Sequence, residues 1–294
     1  IPVAYPQAEL VMIDNLSTQR FFSLFNLPSN GRNIFIEADV LESDLEILLK
    51  DATVVVHLAA ITDAASSFDN REKVEHVNYN ATARVAEACS KTGCAMIHLS
   101  STSVYGTQSS IVDEECSDND LKPQSPYAET KLREERLLKE LDGSKGVRFV
   151  SCRFGTIAGV SPGMRFHTAV NKFCWQAVFG QPLTVWRTAL HQKRPYLDLG
   201  DAVDAIKFII EQDLYDGSVY NVLTDNLTVN EIIDYVRRYV PDLDIKYVDT
   251  RIMNQLSYDV SNKRFSEKGF LSKGALSRSI GETIALLRGA SNVR

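Results

Sequence analysis

Short apolar runs alternate with amphipathic stretches through the first two-thirds of the chain, the pattern of a parallel sheet whose strands are joined by crossover helices. Leu10-Val11-Met12-Ile13, Ile34-Phe35-Ile36, Val54-Val55-Val56-His57-Leu58, Ala95-Met96-Ile97-His98-Leu99 and Arg148-Phe149-Val150-Ser151-Cys152 read as strands. Val74, Val77, Ala81, Val85 and Ala88 recur at helical spacing and predict a helix from about Glu72 to Lys91. Pro126 suits a helix N-terminus and predicts a second helix running to about Leu141. Two further helices are expected over Val229 to Tyr239 and Ser279 to Leu287. After Gly159 the alternation loosens, with Ser161-Pro162-Gly163 and Gly180-Gln181-Pro182 as breaks, as for a smaller lobe set over the sheet edge. No internal repeat or low-complexity tract interrupts the pattern.

A doubly wound nucleotide-binding sheet normally opens with a strand, a Gly-rich turn and a helix whose N-terminus receives a pyrophosphate. Here Leu10 to Asp14 already reads as the second strand, so the first strand and Gly-rich turn are absent from this sequence, and about thirty residues are expected to precede Ile1. Composition narrows the partners. The 294 residues, 44% of them hydrophobic, suffice for one large core with a satellite. A formal net charge of −6 without a basic block argues against nucleic acid as the main partner. No apolar run is long enough for a membrane span, and Ile1 to Glu9 lacks the features of a secretion signal. The five cysteines and five histidines lack metal-ligand spacing. The cysteines read as reduced thiols, which points to the cytoplasm with no metal site.

The chemistry concentrates in Leu99-Ser100-Ser101-Thr102-Ser103-Val104-Tyr105-Gly106 and Ser125-Pro126-Tyr127-Ala128-Glu129-Thr130-Lys131. Tyr127 and Lys131 are four apart at a helix start and project from one face. A phenol with a pKa near ~10 is a poor base, but an ammonium and a nicotinamide cation nearby favour the phenolate. Lowering that pKa by roughly three units takes about 4 kcal/mol of differential stabilisation. A hydroxyl at the end of the preceding strand would hydrogen-bond the substrate oxygen as its charge changes. On these residues the chain resembles the extended short-chain dehydrogenase/reductase superfamily, in its sugar-nucleotide epimerase/dehydratase branch, over almost its whole length.

The resemblance implies a Rossmann-like doubly wound sheet over residues 1–160, N-terminally incomplete. A smaller substrate-binding lobe over 161–294 would follow, with segments near 196–225 returning to the first domain. It implies NAD, with Asp14 and Asn15 at the adenosine ribose; the carboxylate would repel a 2′-phosphate, although Asp14 also suits a turn. Asp39 and Val40 would lie at the adenine edge, Leu58, Ala59 and Ala60 would let the backbone approach the cofactor, and Asn78 and Phe154 would lie beside it. His57 is expected to be structural. Tyr127 becomes the base, Lys131 its ribose-binding partner, and Ser101, five residues before Gly106, the substrate-side hydroxyl. Arg194 is placed at a nucleotide diphosphate, which suits its planar fork, or as a strand-capping surface residue. Trp186 would stack on the nucleobase or fill the core; Asn171 would touch the diphosphate or anchor its own helix; Arg165 would reach sugar or phosphate. Thr156 stands where the family often has Asn.

Dehydratases of this family place an Asp-Glu pair directly after the catalytic hydroxyl, and decarboxylases a Glu two positions on. Thr102 and Ser103, expected on the substrate side here, are neutral. The leading expectation is therefore NAD-dependent epimerisation of a nucleotide-diphosphate sugar by a cytoplasmic homodimer built on the two central helices. A dehydratase or reductase of the same family is the alternative among enzymes, and a non-catalytic dinucleotide-binding sensor the alternative of another class.

Overall fold

The computed structural model describes residues 1–29, 31–249 and 257–289. In chain order the elements that carry the first half are β1 (Glu9–Asp14), β2 (Arg32–Glu37), α1 (Leu45–Leu49), β3 (Val54–His57), α2 (Arg71–Thr92), β4 (Ala95–Ser101), α3 (Pro126–Lys145) and β5 (Phe149–Phe154). The second half carries β6 (Thr156–Ala158), α4 (Ala169–Val178), β7 (Leu183–Trp186), β8 (Lys193–Asp198), α5 (Leu199–Glu211), β9 (Val219–Val222), β10 (Asp225–Thr228), α6 (Val229–Arg237), β11 (Ile245–Val248), α7 (Lys263–Glu267) and α8 (Leu276–Leu287). The five expected strands and four expected helices all form, with ends shifted by a few residues.

β3, β4, β5 and β9 make a parallel sheet in that order, and β1 pairs with β2, also in parallel. The class is α/β with parallel sheets, as the alternation predicts. Both faces of the central sheet are covered, which is why its strands read as nearly continuous apolar runs. Met96 and Phe149 face a core shared with Leu45 and Leu49 of α1, Val85 and Cys89 of α2 and Leu138 of α3. Their strand neighbours Ile97 and Val150 face the opposite core, with Ile209, Tyr220, Phe265 and Phe270. Successive strand residues thus serve opposite layers. The loop after β2 is tied to this block by Arg84 of α2, which donates to the carbonyls of Val40 at 3.2 Å and Ser43 at 2.8 Å.

A separate apolar cluster joins α4, α6 and α8 to β7 and Tyr196 of β8. Around it, β8 pairs in parallel with β6 and antiparallel with β10, while β7 pairs with β11. Asp198 binds the two cores together: it caps the N-terminus of α5, accepting from Gly200 N at 2.8 Å, and receives the Ser279 hydroxyl from α8. No described helix is long and apolar enough to cross a membrane.

Candidate active site

Open α/β sheets bind ligands at the carboxyl ends of their parallel strands, and Ser101 stands at that end of β4, with Tyr127 and Lys131 on α3. β4 ends at Ser101, which caps a 3-10 turn over Thr102–Tyr105 by accepting from Ser103 N at 3.2 Å, and its Oγ lies 2.9 Å from Ser103 Oγ. Gly106 closes the turn at φ +64, a left-handed conformation. α3 starts where Ser125 Oγ accepts from Ala128 N at 3.2 Å with Pro126 at the first turn, so Tyr127 and Lys131 are set by a well-capped helix. The Tyr127 amide is further anchored on Ser67 Oγ at 3.3 Å. Ser101, Lys131 and Arg165 all favour the ionised form of the Tyr127 hydroxyl.

Burial raises the Tyr127 pKa, Lys131 lowers it and Glu134 raises it again; Ser101 and Arg165 also lower it, yet the balance lies above the ordinary value. The ammonium of Lys131 alone therefore does not produce the expected phenolate, because water is lost on one side and a carboxylate stands on the other. Burial disfavours the Lys131 ammonium, but Glu134 and Tyr127 overcome this and hold its pKa above the usual lysine value. Lys131 Nζ donates to Glu134 Oε2 at 2.8 Å, with both side chains almost wholly enclosed.

The residues from Asp14 to Ala60 expected on the cofactor side lie at the ends of β1 and β3 and in the loop after β2. Asp14 Oδ1 accepts from Leu16 N at 2.7 Å, which leaves further acceptor capacity on an exposed carboxylate. Asn15 Nδ2 donates to Asp39 Oδ2 at 2.9 Å, and the Leu41 backbone bond with this amide holds Asp39 below the ordinary carboxylate value. Leu58 is 66% exposed, an apolar side chain at the sheet's carboxyl edge, beside partly buried Ala59 and Ala60. The exposed Asp14 carboxylate, the uncovered Leu58 side chain and the Lys131 cation are, residue by residue, groups that suit the hydroxyls and apolar faces of a dinucleotide.

Three expectations change. Asn78 spends its amide on the backbone, accepting from Ile61 N at 2.8 Å and donating to Ile61 O at 2.9 Å, so it props the loop after β3 and has no free amide group for a cofactor. Thr102 is 2% exposed and turns inward, 3.4 Å from the Phe154 carbonyl and 3.4 Å from the Tyr258 hydroxyl, away from the substrate side. Phe154 is 9% exposed, its ring packed in the core with Leu197 and Tyr220, so it offers no side-chain surface to a cofactor.

Arg165 donates to Thr62 Oγ1, and burial together with Arg20 keeps its pKa below the ordinary arginine value. Asn171 of α4 donates to the Arg165 carbonyl at 2.7 Å, and its buried Oδ1 has no hydrogen-bond partner. Arg194 lies on β8 opposite Leu227, and its charge acts on Tyr196 and Tyr258. Trp186 ends β7, 43% exposed, and pairs with Val248 of β11. Sequence reasoning missed Glu134, His98 and Thr82 behind Lys131, and the buried pair of Arg153 with Glu135, whose Nη2 and Oε2 are 2.7 Å apart. The one local signal was Glu134 itself, three residues after Lys131 on the same helix face.

A family model described as the NAD dependent epimerase/dehydratase family matches residues 4–222. The Bacillus subtilis (strain 168) protein named uncharacterized UDP-glucose epimerase YtcB is 32% identical over 204 residues, 68% of this chain and 62% of that protein. An Arabidopsis thaliana trifunctional UDP-glucose 4,6-dehydratase, 3,5-epimerase and reductase is 26% identical over 280 residues, 91% of this chain and 41% of its own length. The chain thus spans less than two-thirds of each of these relatives. Among solved structures, UDP-glucuronic acid 4-epimerase from Bacillus cereus, in complex with UDP-glucuronic acid and NAD, shares the fold. Its TM-score is 0.85 at 24% identity, over 96% of this chain and 91% of that one.

Proposed function

The chain belongs to the NAD dependent epimerase/dehydratase family, and from that premise we propose that it epimerises a nucleotide-diphosphate sugar with NAD through a transient keto sugar. The observation that carries this reading is the grouping of Ser101, Tyr127 and Lys131 at the end of β4 with no acid beside the hydroxyl. Ser103 is neutral, Thr102 is turned inward, and Glu134 is engaged behind Lys131.

Bound NAD supplies the hydride acceptor and returns the hydride. Tyr127 Oη takes the proton of the sugar hydroxyl as its carbon is oxidised and gives it back after the keto sugar presents its other face. Ser101 Oγ shares that oxygen, stabilising the charge that passes between hydroxyl and ketone. Lys131 reaches the nicotinamide ribose and keeps a positive charge next to the phenol. Asp14 and Asn15 hold the adenosine ribose, Asp39 and Val40 flank the adenine, and the Leu58 to Ala60 backbone lets the cofactor lie close. Arg165, Asn171 and Arg194 serve the diphosphate sugar, and Trp186 its base. Residues 1–160 act as the NAD-binding unit and 161–294 mainly as the substrate lobe.

The chain is proposed to work as a cytoplasmic homodimer paired through α2 and α3. These helices lie side by side and are laced by Arg71 to Glu129 at 2.6 Å, Lys145 to Glu87 at 2.8 Å, and Arg133 to Glu75, one continuous two-helix face. Five unpaired cysteines suit a reducing compartment.

Proton NMR of the protein with NAD and a panel of nucleotide sugars tests the chemistry. Interconversion of two stereoisomers without net NADH is expected, reduced at least about 100-fold in Tyr127→Phe. A 4-keto-6-deoxy product would make it a dehydratase, stoichiometric cofactor consumption a reductase or dehydrogenase. No turnover with any sugar would favour the sensor.

A further inference from the structure

Behind Lys131 lies a buried set of polar groups to which the reaction above gives no task. Glu134, with its side chain 0% exposed, presents Oε2 to Lys131 Nζ at 2.8 Å, His98 Nε2 at 2.8 Å and Thr82 Oγ1 at 3.1 Å. Its other oxygen, Oε1, is buried with no hydrogen-bond partner. The set spans three elements, since Thr82 is on α2, His98 on β4 and both Lys131 and Glu134 on α3.

The protons can be assigned from the partners. Thr82 donates to the carboxylate, so His57 Nε2, 3.1 Å away, must donate to Thr82 Oγ1. His98 Nε2 donates to the carboxylate, and its Nδ1 lies 3.0 Å from Ser151 Oγ. Lys131 and Glu134 form the ion pair at the centre of the set. An enclosed ion pair with an unsatisfied oxygen is poor material for stability, because desolvation offsets the attraction and apolar side chains would fill the space as well. Its value lies in what it does to Lys131. One ammonium N–H is committed backward, which leaves two for the groups in front. The carboxylate also cancels, at Tyr127, much of the positive charge that Lys131 supplies.

We propose that Glu134 is a positioning residue: it holds the Lys131 ammonium by one N–H, leaving the other two for the groups in front, and balances its charge so that Lys131 by itself leaves Tyr127 protonated. This rests on Tyr127 being the base of the reaction above. The charged and titratable groups around the two residues are His57 from β3, His98 from β4, Lys131 and Glu135 from α3 and Arg165 from the segment before α4. Of these, Arg165 is the other cation acting on Tyr127, and it is turned to Thr62.

The test is a pH titration of Tyr127 by carbon NMR of tyrosine-labelled protein, its resonance identified by its loss in Tyr127→Phe. Wild-type protein is titrated without added cofactor, and its Tyr127 midpoint is expected above the ordinary phenol value. Glu134→Gln, which keeps the shape and removes the charge, is expected to lower the cofactor-free midpoint by roughly one to two units. Glu134→Asp retains the charge and is expected to restore the wild-type midpoint to within about half a unit. A folded Glu134→Gln protein that titrates like wild type overturns the proposal. So does a wild-type Tyr127 that already titrates below the ordinary phenol value without cofactor, a measurement that stands even if the glutamine variant does not fold. No sugar is turned over in this titration, so it can fail while epimerisation stands, and an empty sugar panel leaves its result intact.

Discussion

His57 sits in the core beneath the strand ends, 5% exposed, where no water can support a charge. Burial, then Lys131 and His98, push its pKa down to about 3. In the unfolded chain the same ring takes up a proton near ~6.5. Between those two values the unfolded state binds more protons than the folded one, so stability rises with pH and is lost as the pH falls from about 6.5 towards 3. The slope from this one group approaches about 1.4 kcal/mol per pH unit. Glu134 has the usual carboxylate behaviour: burial raises it, but Lys131 and His98 prevail and hold it at about 2. Its share is therefore present above about 4.3 and fades towards 2. Urea denaturation between pH 6.5 and 5 reads His57 together with His167, whose pKa burial also lowers, and His57→Gln is expected to reduce the slope there; an unchanged slope would remove this account.

Elements in this protein are positioned by their ends. α3 brings Tyr127 into place because Ser125 caps it and Pro126 starts it, and α2 and α3 stop at Gly93 and Gly146, both with positive φ. The turn from β4 into the site depends more heavily on one residue. A Cβ on Gly106 would lie 1.9 Å from the Lys122 carbonyl oxygen, a backbone atom that cannot rotate aside. Gly106→Ala is expected to cost roughly 2–4 kcal/mol and to displace Ser101 with the turn that it caps. Gly143 is the contrast: it lies inside α3 and a Cβ there would meet nothing within 4 Å. Gly143→Ala should stabilise the protein by about 0.5–1 kcal/mol. Calorimetry on the two alanine variants checks the opposite signs, and a tolerated Gly106→Ala would show that the Lys122 loop yields.

At the scale of the whole molecule, the laced α2–α3 face carries the proposed dimer, for which sedimentation velocity across protein concentration is the check; a concentration-independent mass of one chain would remove it. The strands of the central sheet and the two long helices were legible in the sequence because burial on both faces writes itself locally, as apolar runs and as repeats of three and four. Ser101, Tyr127 and Lys131 were legible for a similar reason, since their spacing from a strand end and along one helix face is a local property. The second lobe was less so: β8 and β10 pair across about thirty residues, and such short strands have little pattern of their own. The sequence by itself thus determined the layering of the α/β core and which side chains stand at the strand ends. Only the tertiary structure decided that Thr102 turns inward, that Asn78 props a backbone loop, and that Lys131 meets Glu134 with His98 and Thr82 behind it. Those are choices of partner between residues far apart in the chain, made by which buried polar groups can satisfy one another once water is gone.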